Sequence, residues 1–278
     1  MATATDAPER TRSDPRTLRW WTLLRGIAIF NVLAWAATFL SVDDTLGSVR
    51  IHLALSAIYV AVCAFRSFLP RIDLERTVMV DHWASSMVAG RGAATVAELC
   101  FAIQVALLVR LIGEAAELPV LMGPLPLAIV AALALAQVFC WVGVVTLSHL
   151  GHAIEEALWA LTFTAIGVAM AAALPHLGGP LKGAALVALP GCVGYVAFMV
   201  LVDVPMYLRR WLAHRAEGGA TLGLAEGFQD ALHRREPTRS WAVWRPEVAW
   251  LTGYFSFAVW ASLGFVHLAQ FSGPLQGG

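Results

Sequence analysis

The sequence predicts an all-α polytopic membrane protein with about seven transmembrane helices, its N-terminus cytoplasmic and its C-terminus outside. Three observations lead there. Of 278 residues, 59% are hydrophobic and 14% charged, with a mean hydropathy of +0.69; an average soluble domain is about 45 to 50% apolar. The apolar residues also gather into runs near the roughly 20 residues that a helix needs to cross a hydrocarbon core about 30 Å thick. Finally, the basic residues fall almost entirely on one side of those runs. The runs are apolar all round, whereas a barrel would alternate over segments of about ten residues.

Seven spans follow in order, at 22–40, 51–68, 93–112, 123–147, 157–174, 183–202 and 247–268, the second and fifth being the shortest. Residues 1–18 form a polar, Arg-rich segment ahead of span one, and 19–278 form one transmembrane domain with a cytoplasmic amphipathic insertion at about 204–246. Ala34 and Ala36 resemble a cleavage site. The apolar run before Asp43 is nevertheless longer than the roughly 7 to 15 residues of a signal core, which predicts a retained anchor. The twin arginines of an export signal are absent there.

Orientation comes from arginine. Arg10, Arg12, Arg16, Arg19 and Arg25 precede or open span one, and Arg66, Arg71, Arg76 and Arg91 surround the second connection. Arg209, Arg210, Arg215, Arg234, Arg235, Arg239 and Arg245 fill the sixth, leaving only Arg50, Arg110 and Lys182 on the opposite side. Cytoplasmic loops collect Lys and Arg, so the chain is expected in the bacterial cytoplasmic membrane with that face inward. The formal charge is balanced, 19 basic against 19 acidic, which excludes a charged disordered tail and a globally basic nucleic-acid binder.

The four cysteines, Cys63, Cys100, Cys140 and Cys192, fall in different spans without a Cys-x-x-Cys pair and are expected to be small buried apolar residues. Trp20, Trp21, Trp83, Trp211, Trp241, Trp244 and Trp250 lie near the basic boundary as an aromatic belt. Near the span centres Asn31, Gln104 and Gln137 are polar but no residue is ionisable, which disfavours a proton-coupled carrier and predicts bonds between helices. The last span has no lysine for a retinal-type Schiff base. In the insertion, Thr221 is placed to cap a helix with Leu224, Phe228, Ala231 and Leu232 on one face, suited to an anionic leaflet.

Chemistry-bearing residues concentrate between spans four and five, in Ser148-His149-Leu150-Gly151-His152-Ala153-Ile154-Glu155-Glu156. A helix starting near His149 puts His149, His152 and Glu156 on one face at i, i+3 and i+7, a donor set for Zn, Fe or Mn, with Glu155 flanking it. The pattern matches neither His-Glu-x-x-His nor the Glu-x-x-His of di-iron bundles. Its plainer reading is two acids favoured by a helix N-terminus. A helix over the second connection would set Asp81 beside Ser85, and His82 beside Ser85 and Ser86. Arg91, Thr95 and Glu98 align at i, i+4 and i+7, with Glu98 roughly 7 to 8 Å inside span three, where an acid needs a partner. Asp203 closes span six before Pro205 and can pair with Arg209 or Arg210.

These groups share one membrane depth, and three readings follow. One is an enzyme acting on a lipid or isoprenoid amphiphile at the cytoplasmic leaflet. Its site residues would be Glu98, Asp81, Glu155 and Asp203, with a divalent transition metal on His149, His152 and Glu156, or else an acid-initiated reaction without metal. The second is a non-enzymatic subunit whose basic face docks a soluble partner. The third is a haem or quinone protein, which lacks paired histidines on facing spans.

Overall fold

In a computed structural model the chain is 84% helical, and residues 13–43, 45–219 and 221–272 are described. Arg10 and Arg12 lie outside them, as does most of the expected polar N-terminal segment. Seven helices among the described residues are long and apolar enough to cross a membrane. They are α1 (Pro15–Ser41), α2 (Gly47–Phe68), α3 (Met87–Ala115), α5 (Pro124–Thr146), α6 (His149–Ala173, continuing as a tighter turn to His176), α7 with α8, and the broken final helix. A one-turn helix, α4 (Pro119–Met122), bridges α3 and α5.

The helices outrun the apolar runs because their ends are capped by polar residues. Asp14 accepts from the Arg16 amide at 2.9 Å, with Pro15 at the first helical position, so α1 starts inside the segment expected to be polar and non-helical. Ser86 accepts from the Ala89 amide at 3.2 Å and opens α3 six residues early. The sixth span passes through Pro205: α7 (Gly179–Phe198) runs into a π-helical turn, Met199–Asp203, and then α8 (Val204–Ala216). Pro205 follows the π-helical turn in continuous helical backbone, where its missing N–H removes one bond to the preceding turn. The seventh span is assembled from α10 (Trp241–Trp244), α11 (Val248–Gly253), a second π-helical turn at Tyr254–Ala258 and α12 (Val259–Leu268).

Helix α3 is the most enclosed span and packs against α2, α5 and α12; the sixth span is the least enclosed. Polar residues at mid-span join neighbours as expected. Asn31 donates to the Phe255 carbonyl at 2.7 Å and accepts from Trp260, while Gln104 donates to the His52 and Ser262 carbonyls and accepts from the Ser262 hydroxyl at 2.6 Å. Large apolar side chains such as Leu33, Leu40, Leu127, Val187 and Leu201 point outward, as lipid-facing residues would.

The connection from α2 to α3 differs from the expected helix. It is a hairpin of β1 (Arg71–Ile72) and β2 (Thr77–Val78), with β3 (Glu236–Pro237) added in parallel on β2. Arg76 turns the hairpin with φ 54° and is fully buried, donating to Asp230 at 2.7 Å and to the Asp73 carbonyl at 2.9 Å. His82 caps a short turn, Trp83–Ser85, by accepting from the Ala84 amide.

Asp230 belongs to α9 (Leu224–His233), which docks on the ends of α3 and α5. A Cβ on Gly227 would lie 2.0 Å from the Val145 carbonyl oxygen, so only glycine permits this contact. Gly223 rather than Thr221 occupies the N-cap, and Leu224 and Phe228 stay exposed while Ala231 is buried. In the expected tryptophan belt, Trp20 and Trp244 are instead buried together, their rings 5.7 Å apart.

Candidate functional site

The polar groups inside the bundle concentrate at its arginine-rich end, and the α5–α6 turn positions them. Leu147 adopts the left-handed conformation (φ 57°, ψ 32°), strained for a bulky residue, and lets α6 reverse after two residues. The helices then touch backbone to backbone. A Cβ on Gly151 would meet Gly143 Cα and N at 2.6 Å and the Phe139 carbonyl oxygen at 2.7 Å. Cys140, one turn before Gly143, is thereby set against His152, the residue after Gly151.

Three buried donors converge there. His152 Nδ1 lies 2.8 Å from Glu155 Oε2 and 3.9 Å from Cys140 Sγ. One ligand atom from each of Cys140, His152 and Glu155 falls within 4.8 Å of the others. His152 and Glu155 are related by i, i+3 on α6, and Cys140 comes from α5. A thiol, an imidazole and a carboxylate on two clamped helices form a donor set for a transition metal.

A hydrogen-bonded network adjoins this triad. Arg91 bonds Glu98 and donates to Gln137 Oε1 at 3.0 Å; Thr95 donates to the same oxygen at 3.1 Å and accepts from Trp141 at 3.0 Å. The Tyr254 hydroxyl donates to Glu98 at 3.3 Å. Arg91 also interacts electrostatically with Cys140 and Glu155, which joins network and triad. Outside the spans, burial pushes the Asp73 carboxyl up, but Arg71, Arg91 and Arg66 outweigh burial and hold it below its ordinary value of 3.8. Burial lowers the Arg71 guanidinium to about 10, against the stabilising charge of Asp73. Arg71 fits because residue 90 is glycine: a Cβ there would overlap the guanidinium.

Of the residues expected at the site, Glu98, His152 and Glu155 are buried in this cluster. Glu156 and Asp203 are half-buried beside it, interacting with one another and with Glu155. Arg210 approaches Glu75 at 3.8 Å rather than forming an ion pair with Asp203. Asp81 accepts from Arg235 at 2.8 Å and is largely exposed. His149 is also outside the triad, because its ring packs at 6.2 Å on Tyr207, whose ring faces His152 at 5.2 Å. Of the expected helix face, His152 joins Glu155 and, across the helix pair, Cys140, while His149 and Glu156 are not among these three converging donors.

Charge defines what the cluster can do. Arg66, Arg71 and Arg91 act on Asp73, and Arg91 also on Glu98, Glu155 and Glu156. Among the fully buried charges of the cluster, Arg71 and Arg91 stand against Glu98 and Glu155. Buried anions need compensation by protons or cations. Nothing local in the sequence marks Cys140; Gly143 and Gly151 mark only the close helix contact that sets it against His152. No family model, curated protein or solved structure matches the chain.

Proposed function

We propose that the chain is a multi-pass enzyme of the bacterial cytoplasmic membrane that acts on a lipid or isoprenoid amphiphile at the inner leaflet, through a divalent transition metal held by Cys140, His152 and Glu155. The convergence of those three donors carries the reading. Three protein ligands leave a position for water or substrate, as in catalytic zinc sites. Inclusion of a thiol favours zinc or iron over manganese.

A bound metal would supply Lewis acidity or activate water there. Glu156 and Asp203, half-buried beside the triad, are placed to carry protons, while Glu98 is held by Arg91 and Tyr254 as a positioning group. An amphiphilic substrate is supported by an apolar groove of about 420 Å³ between α3 and α5, lined by Leu99, Ala134, Val138 and Val142. Thr95 and Gln137 form its polar edge and also belong to the Arg91 network, so a tail in the groove would end near the charged cluster.

Metal analysis tests this directly. The purified parent should carry stoichiometric metal, Cys140→Ala/His152→Ala should carry none, and His149→Ala should keep it. A parent free of stoichiometric metal overturns the proposed centre. The inward orientation of the arginine-rich end rests on charge segregation and predicts an active alkaline phosphatase when fused after span seven. An inactive fusion, with a fluorescent cytoplasmic reporter at the same point, reverses it.

A further inference from the structure

A second polar site lies beside the first. Between the start of α6 and the inner side of α8 is a cavity of about 300 Å³, lined by Ser148, His149, Trp211, His214, Arg215 and Thr221, with Gly219 at its edge. Every polar side chain in this lining can donate a hydrogen bond, and none is a carboxylate. His149 Nδ1 and His214 Nε2 are both buried without a hydrogen-bond partner among the described residues. Buried polar atoms are rarely left so. The charged neighbours of His149 are Arg210, His152 and His214, all cationic or able to become so. The site also closes on the N-terminus of the 25-residue α6, whose N-cap Ser148 makes no side-chain cap bond. Room for the His214 ring depends on glycine: a Cβ on Gly219 would lie 2.2 Å from its Cε1.

Two imidazole rings, an exposed arginine, two hydroxyls, an indole and a helix N-terminus around one cavity are complementary to a compact oxyanion. We propose that this cavity binds a phosphate group, either as the headgroup of an anionic amphiphile or as free phosphate. The inference goes beyond the metal centre: the cavity lining includes none of Cys140, His152 and Glu155, while Tyr207 packs on both His152 and His149. Were both sites used together, the phosphate site would fix the head of a substrate whose reacting atoms lie at the metal.

The test uses the full chain in neutral detergent titrated with inorganic phosphate, and the full chain in phosphatidylcholine vesicles with and without phosphatidic acid, each read by thermal unfolding. Stabilisation in either arm is expected, and His214→Gln/Arg215→Gln should weaken the apparent affinity about tenfold, the loss of a charge-assisted hydrogen bond. Arg110→Gln, in an exposed pair with Glu114, should leave it unchanged. Stabilisation by both ligands assigns the site to the phosphate group in either form; stabilisation by phosphatidic acid alone assigns it to a lipid headgroup. Absence of stabilisation in both arms, or an equal response in parent and double variant, overturns the proposal. If the double variant fails to fold, Arg215→Gln alone, on an exposed side chain, decides by the same comparison. Metal content measured in the same samples keeps the outcome separate from that of the metal centre.

Discussion

Gly151→Ala is expected to lose about 1 to 3 kcal/mol of stability together with the metal proposed for the α5–α6 site. The added methyl group would meet backbone atoms of Gly143 and the Phe139 carbonyl at 2.6 to 2.7 Å, and backbone cannot rotate away as a side chain can. The helices would have to separate, with a cost of the size seen when well-packed cores are overfilled. That separation acts on His152, the next residue, and on Cys140 across the interface. Gly143→Ala is the informative comparison. Its Cβ would lie 3.1 Å from the Ser148 carbonyl oxygen and 3.3 Å from the His152 ring, tight contacts that small shifts relieve. It should therefore cost less stability while still moving the imidazole. Thermal unfolding and metal content measured side by side check both variants; an unfolding midpoint for Gly151→Ala equal to that of the parent would show that the helices do not touch there.

Arg91→Met should be more damaging, at about 3 to 5 kcal/mol, because it leaves Glu98 buried without its cationic partner. The double variant Arg91→Met/Glu98→Met should recover most of that loss, since two apolar chains replace a desolvated ion pair. The comparison isolates the coupling between the two residues. Recovery will be incomplete to the extent that Arg91 also offsets Glu155 and holds Gln137. If Arg91→Met alone costs under about 1 kcal/mol, the pair behaves like an exposed one, and water reaches it.

Sequence periodicity and length carried the membrane fold because the hydrocarbon core sets a physical minimum for each helix. Span ends were less legible: Asp14 and Ser86 extend helices by capping them with polar residues that a hydropathy window discards. The β1–β2–β3 cluster was invisible because its third strand joins Thr77 to Glu236, a pairing with no local pattern. Arg91 with Glu98 was legible from i+7 spacing, and His152 with Glu155 from i+3. Cys140 was not, because its partners come from another helix and an isolated cysteine in an apolar run looks the same whether it packs or ligates. Asp81 was chosen by membrane depth alone, which says nothing of its partner; in the structure it is largely exposed and accepts from Arg235.

The π-helical turn at Met199–Asp203 bears on which sequence changes this protein can absorb. Such a turn is an α-helix with an extra residue inserted. Removing one residue there would restore regular winding and swing everything downstream by about 100° around the helix axis. Asp203, Tyr207 and the α8 side of the phosphate cavity would turn away from α6, while the helix itself stayed continuous and apolar. Chain length across five residues, more than the identity of any of them, thus keeps one wall of the site facing inward. The hydropathy profile would barely register its loss.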